Sequence, residues 1–407
     1  MRPSFRLVAL VTLLCLSACA QQKPLPPTPP PPVAAVPPPA PKAEPKPAPK
    51  PQPPAPKPAP QVATPGAIQV AVLLPLSGNA ATLGNAMLNA AQLALFELAD
   101  NELTLLPFDS KGTAEGAEAA ARQALAQHVD IIVGPLFAAE VRAVASVAAP
   151  AHISVLSLSA DRSVAGNGTY VMGFLPGPQA IAVSDFAAAA GKLRQAVLAP
   201  ANDYGRRVAT ELNNAAQPLG VSLGPIEYYD PAALDLAPVL KRLLAGRKGD
   251  DIGFDALLLP DDGARLRRVG EQWAAQGIEP GQVQLLGTML WDEAKLGEPF
   301  AGAWFAAAPA AGFADFSRRY QAAFAAEPPR LASLAYDAAA LTMVLARRNG
   351  HDFSVGFLTN PQGFAGVDGL FRLKPDGTIE RAYAIKQVVP GAAAREIQPA
   401  ATSFTPP

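Results

Sequence analysis

The stretch Ile68–Leu98, IQVAVLLPLSGNAATLGNAMLNAAQLALFEL, decides how this chain folds. Its first seven residues, IQVAVLL, are a run of β-branched and aliphatic side chains, as expected of a buried strand. Pro75 and Gly78 interrupt the run, and the Ala- and Leu-rich remainder reads as a helix. Strand, polar turn and helix are the opening half of a βαβ unit. The turn PLSGNAATLG places Ser77 and Gly78 at the carboxyl end of a parallel strand, where ligands sit in open α/β sheets.

The same rhythm continues downstream. Strands are expected at 103–109, 130–134, 153–158 and 169–174, with helices over 114–127 and from Pro135 to about Val147. A second series follows, with strands at 195–200, 221–228, 254–260 and 283–287. Helices are expected from Asp203, over DPAALDLAPVLKRLL (230–244), and over 261–276. Asp203 and either Asp261 or Asp262 stand where N-caps are needed. A long helix from Ala332 to Arg348 and a hairpin turning at Pro375-Asp376-Gly377 close the pattern. Alternation at this spacing predicts two α/β lobes with parallel sheets and right-handed crossovers. Lobe 1 is expected over about 66–190 and lobe 2 over about 191–330, with C-terminal segments crossing between them and a flexible tail at 391–407.

Composition excludes several function classes. The net charge of −1 hides a split: residues 1–65 hold seven Lys/Arg against Glu44 alone, so the remainder is near −7. That balance argues against nucleic acid, which needs a basic face. Both cysteines, Cys15 and Cys19, fall in the first twenty residues, so the folded part has neither a disulfide nor a thiolate metal site. The three histidines, His128, His152 and His351, are scattered. No HExxH, GxSxG or GxxxxGK[ST] motif is present, and no enzyme, cofactor or metal is expected.

Arg2 and Arg6 precede the apolar run LVALVTLLCL, too short to span a membrane and typical of a signal peptide over residues 1–18. The run ends in Leu16-Ser17-Ala18-Cys19, which resembles the bacterial lipobox, whose cysteine is acylated. Multiple acyl chains on Cys19 would anchor the chain stably to a membrane. Ala20 after the cysteine favours, by resemblance to Gram-negative sorting, the outer membrane facing the periplasm. Residues 19–65 are rich in Pro, Ala and Lys, a composition that forms neither helix nor sheet. Such a tether reaches on the order of 140 Å if fully extended as polyproline II.

Five pieces of the 66–390 region resemble the leucine/isoleucine/valine-binding family of type I periplasmic binding proteins. They are PLSGNAATLGNAMLNAAQLAL, VDIIVGPL, ISVLSLSA, NDYGRRVA and GFAGVDGLFRLKPDGT, in the family order. The resemblance implies two Rossmann-like lobes hinged around a ligand cleft. It also implies hydroxyls and backbone N–H groups for an amino-acid carboxylate, and acids for its ammonium. The cleft positions this assigns are Ser77, Gly78, Ser157, Ser159, Asp161, Tyr204 and Trp291. The clamp is altered, however. Leu136-Phe137-Ala138-Ala139 replaces a serine-rich turn, and Asp161 stands where a threonine hydroxyl is usual. No acid occupies Thr288-Met289-Leu290, though Asp292 and Glu293 follow. Removing partners from a buried charged ligand costs several kcal/mol per charge. A free α-amino acid is therefore not the expected ligand.

The lipobox, the tether, YYDPAALDLAPVLKRLL and LLGTMLWDEAKLGEPFAGAWFAAAP resemble the penicillin-binding protein activators. Those are outer-membrane lipoproteins that stimulate peptidoglycan synthases. The resemblance implies a synthase as partner. The alternative is a solute receptor that meets an ABC permease and takes a small polar ligand. Trp304 and Phe305 are expected in the core.

Overall fold

The computed structural model describes residues 66–98, 103–278 and 281–404. Cys19, the signal peptide and the Pro-rich tether lie outside the described residues.

The opening stretch is strand β1 (Ile68–Leu74) followed by helix α1 (Ala81–Leu98). Strands β2 (Leu103–Asp109), β3 (Ile131–Val133), β4 (Ser154–Ser157) and β5 (Thr169–Val171) complete an all-parallel sheet of order β2-β1-β3-β4-β5. Helices α2 (Ala114–Ala126) and α3 (Ala138–Ala148) connect them. β1 is buried along almost its whole length because helices cover both faces of the sheet, which explains its unbroken apolar run.

The second lobe repeats this winding. Helix α4 (Pro176–Ala189) leads into β6 (Arg194–Pro200), α5 (Asp203–Ala216), β7 (Ser222–Tyr229), α6 (Ala237–Leu243), β8 (Ala256–Leu258), α7 (Gly263–Ala274), β9 (Gln284–Gly287) and β10 (Trp304–Ala307). The order β7-β6-β8-β9-β10 matches that of the first sheet. The chain then returns to lobe 1 with α8 (Ala310–Phe324), α9 (Ala332–Asn349) and α10 (Val355–Leu358). Phe316, Tyr320 and most of the apolar residues of α9 belong to the core of β1, β3 and α1. A small antiparallel sheet, β11 (Phe364–Gly366), β12 (Gly369–Leu373) and β13 (Ile379–Arg381), follows. The last two strands, β14 (Ala384–Gln387) and β15 (Arg395–Gln398), join the lobe 2 sheet antiparallel beside β10.

Several sequence expectations change. The first lobe crossing falls between Met172 and Pro176, not near residue 190. Met172 packs in the lobe 1 core, whereas Ala180, Val183 and Ala187 of α4 pack in lobe 2. The expected flexible tail carries β15. The helix expected over 230–244 is confined to Ala237–Leu243. Asp230 and Asp235 each accept a hydrogen bond from the N–H two residues on, forming turns that compete with helix. The cap of α5 is Asn202, whose side chain accepts from Gly205 N–H at 2.9 Å, rather than Asp203. Asp261 is buried and pairs with Arg265 at 2.7 Å, and Asp262 at the N-cap makes no side-chain cap bond. Phe305 is buried as expected, while Trp304 is half-buried and packs edge-on against Phe186.

Candidate functional site

A cavity of about 970 Å³ lies between the lobes. It is built from segments that follow strands: Leu136–Ala138 after β3, Leu158–Asp161 after β4, Tyr204 after β6, Asp262 after β8, and Met289, Leu290 and Asp292–Lys295 after β9. All of these strands are parallel within their sheets, so the cavity opens at their carboxyl ends, as in open α/β sheets generally. Phe174 and Pro176 line it from the first lobe crossing, and Arg330, Leu331 and Leu334 from the start of α9. Its wall is mostly apolar, and among the described residues no histidine or cysteine lines it. Nor does any group of three or more His, Cys, Asp or Glu among the described residues suit a metal ion.

Three of the seven cleft residues expected from sequence meet here: Ser159, Asp161 and Tyr204. Ser157 is fully buried behind them, and its Oγ accepts from Ser159 N–H at 3.2 Å. Ser159 Oγ in turn accepts from Asp161 N–H at 3.1 Å, so the two serines shape the turn that presents Asp161. Asp161 Oδ1 accepts from Ser163 N–H at 3.0 Å and faces Arg207 Nη1 of lobe 2 at 3.1 Å. Arg142 approaches the other carboxylate oxygen at 3.5 Å. Burial works against the charge, but the Ser163 bonds and the two arginines outweigh it and hold the carboxyl below the usual aspartate range. Asp161 is thus an ionised bridge between the lobes.

Tyr204 Oη lies 2.9 Å from Thr288 Oγ1, and burial pushes its phenol well above the ordinary value. Gln179 Oε1 accepts from Met289 N–H at 2.9 Å. The lobe 2 wall therefore satisfies much of its polarity internally.

The other expected cleft residues do not line the cavity. The Ser77 N–H lies 3.2 Å from Asp109 Oδ1, which also accepts from Leu76 and Lys111 N–H groups. Ser77 thus braces the turn after β1 against the end of β2. Gly78 sits in the left-handed region at φ 77°, with Lys111 O close by. Trp291 is 2% exposed, stacks edge-on with Phe300 and donates to Leu259 O at 3.2 Å. It fills the lobe 2 core rather than offering a stacking face.

Arg207 and Arg330 are two charged lining residues that sequence reading missed. Arg207 stands inside the NDYGRRVA motif, one turn after Tyr204, and that placement was a usable signal. Arg330 carried none: it follows Pro328-Pro329, more than thirty residues beyond Lys295, the last wall residue before it.

The family model described as "Periplasmic binding protein" matches residues 67–393. No curated protein matches the chain in sequence. Among solved structures, a putative branched-chain amino acid ABC transporter from Rhodospirillum rubrum aligns with TM-score 0.71 at 19% identity, covering 81% of this chain and 100% of that one. An ABC transporter solute-binding protein from Rhodopseudomonas palustris BisB5, in complex with 3,4-dihydroxybenzoic acid, aligns with TM-score 0.58 at 17% identity, covering 83% and 97%. The substrate-binding protein LivJ from Streptococcus pneumoniae, in complex with isoleucine, aligns with TM-score 0.55 at 20% identity, covering 82% and 100%. At these identities the structures establish the shared fold.

Proposed function

Because the chain belongs to the periplasmic binding protein family, we propose that it is a non-enzymatic envelope lipoprotein that regulates a peptidoglycan synthase rather than importing amino acids. Cys19 anchors it in the outer membrane, and the Pro-rich segment carries the domain into the periplasm. The partner is a penicillin-binding protein, which the domain activates by surface contact.

The observation that carries this reading is the Asp161 bridge. A carboxylate stands where the resemblance places a ligand hydroxyl, and Arg207 and Arg142 already neutralise it. An amino-acid carboxylate entering beside it would have to compete with Asp161 for the same two guanidiniums, and Leu136, Phe137 and Ala138 offer no side-chain hydroxyl in exchange. The signal and tether composition support a membrane-attached role.

A second reading, solute receptor of an ABC importer, is favoured by the size of the cavity and by the solute-binding proteins among its structural neighbours.

Reconstitution separates the two. The lipidated chain is added to liposomes that hold a bifunctional synthase of the same organism and lipid-linked peptidoglycan precursor. The regulator reading predicts a several-fold rise in glycan polymerisation or crosslinking, reduced for Cys19→Ser. An unchanged rate with the lipidated chain refutes it.

A further inference from the structure

Arg330 differs from the other charged residues of the cavity wall. Its side chain is 14% exposed, against 20% for Asp161, 22% for Asp292, 34% for Arg207 and 50% for Asp262, and Arg267, Glu293 and Lys295 are exposed. The best-buried of these charges is thus a cation. Of the four acids of the wall, three have partners: Asp161 has Arg207, Asp292 has Lys386 at 2.7 Å, and Asp262 has Arg265 at 3.0 Å, while the fourth, Glu293, is solvent-exposed.

Arg330 is also held rigidly. Its Nη2 pairs with Asp368 Oδ1 at 2.6 Å, and its Nη1 donates to Ser333 Oγ at 2.9 Å. Ser333 Oγ donates in turn to Asp368 Oδ2 at 2.7 Å, so both fully buried partners hold the guanidinium in one orientation. The rings of Phe313 and Phe174 lie 4.3 Å and 5.0 Å from the guanidinium carbon. The Ser333 hydrogen bond uses one of the five N–H donors of the guanidinium, and the Asp368 contact is an ion pair. Arg330 and Phe174 both line the cavity. A buried carboxylate and a buried hydroxyl are committed to aiming one cation at an apolar space, which is the arrangement of a preorganised anion site.

We propose that Arg330 is the anion-recognising residue of this cleft, and that the ligand is a monocarboxylate with a branched or aromatic apolar body and no ammonium group. The carboxylate takes the free donors of Arg330, beside the first turn of α9, whose Leu331 and Leu334 also line the cavity. The apolar body packs on Phe174 and Leu158. An ammonium within the same ligand would lie near this cation, with the well-buried acids of the wall already paired. Carboxylate recognition has in this way moved from the strand-end hydroxyls of lobe 1 to the start of α9. The inference concerns the isolated domain and holds whether or not the chain also stimulates a synthase, so the two can fail separately.

The test titrates the whole chain with 4-methylpentanoate and 3-phenylpropanoate, their primary amides, and leucine. Each carboxylate is expected to bind with Kd of about a millimolar or tighter, and at least about 10-fold tighter than its amide or leucine. Arg330→Gln is expected to weaken the carboxylates by about 10- to 100-fold and leave the amides unchanged. That variant strands Asp368 as a buried charge, so the double variant R330Q/D368N, which removes both charges, repeats the measurement in a neutral site. Carboxylates that bind no better than their amides, match leucine, or keep their affinity in R330Q/D368N overturn the assignment. So does a failure of both carboxylates to bind below about 5 mM.

Discussion

Gly84 in lobe 1 and Gly205 in lobe 2 do the same work at equivalent points of the two repeats. Each lies in the first helix after its opening strand, against the carbonyl of the proline at that strand's end. A Cβ added to Gly84 would lie 2.0 Å from Pro75 O, and one added to Gly205 would lie 2.2 Å from Pro200 O. The residues between proline and glycine differ. In lobe 1 the longer segment folds back so that Ser77 meets Asp109, and neither Ser77 nor Gly78 lines the cavity. In lobe 2 the segment is shorter and delivers Tyr204 to the cavity wall. The scaffold is repeated between the lobes, but the loops on it decide which lobe offers polar groups to a ligand. The wall is accordingly asymmetric, with apolar residues after β3, the paired Asp161 after β4, and an internally bonded polar face in lobe 2.

The largest test of this equivalence is a matched pair of substitutions. Gly84→Ala and Gly205→Ala should each destabilise the protein by about 3 kcal/mol, because the clashing atoms are backbone and cannot move aside. Chemical denaturation reads the loss directly. A cost below about 1 kcal/mol at one site only would break the equivalence of the two repeats.

A smaller effect is expected where the walls meet. Asp161→Asn should cost about 1 kcal/mol at neutral pH, by removing a partly exposed bridge to Arg207 and Arg142. The sign with pH follows from the lowered carboxyl. Its contribution is fully present above the unfolded aspartate pKa of about 4 and is lost as pH falls through the folded value. The gap between parent and variant in urea midpoints should therefore close on acidification. A gap that stays constant down to about pH 2 would show that Asp161 does not act as an ionised bridge.

The fold was legible because parallel strands covered on both faces produce unbroken apolar runs such as IQVAVLL and DIIVG. The helix α4 was not. It is apolar on most sides and wedged between β9, β10 and α5, so it lacks the two-sided pattern that marks a surface helix. The strands β14 and β15 were hidden for another reason. The partner of β14, β10, lies some eighty residues earlier, and pairing at that separation leaves no local signal; β15 in turn pairs with β14, inside the segment expected as a flexible tail. At the site, an acid at a strand end was visible in Asp161, but of its arginines, on α3 and α5, only Arg207 stood in a motif that pointed to the cleft. Trp291 misled because it follows a strand end, as cleft residues do. Gly287 lets the indole lie flat on β9, where a Cβ would fall 2.2 Å from the ring, and the tryptophan turns inward.

The central claim is that this cleft does not hold a free amino acid. Isothermal titration of the purified chain with leucine, isoleucine and valine tests it most directly. The asymmetric wall predicts no binding tighter than about millimolar for any of the three, whereas micromolar affinity for any one would contradict it.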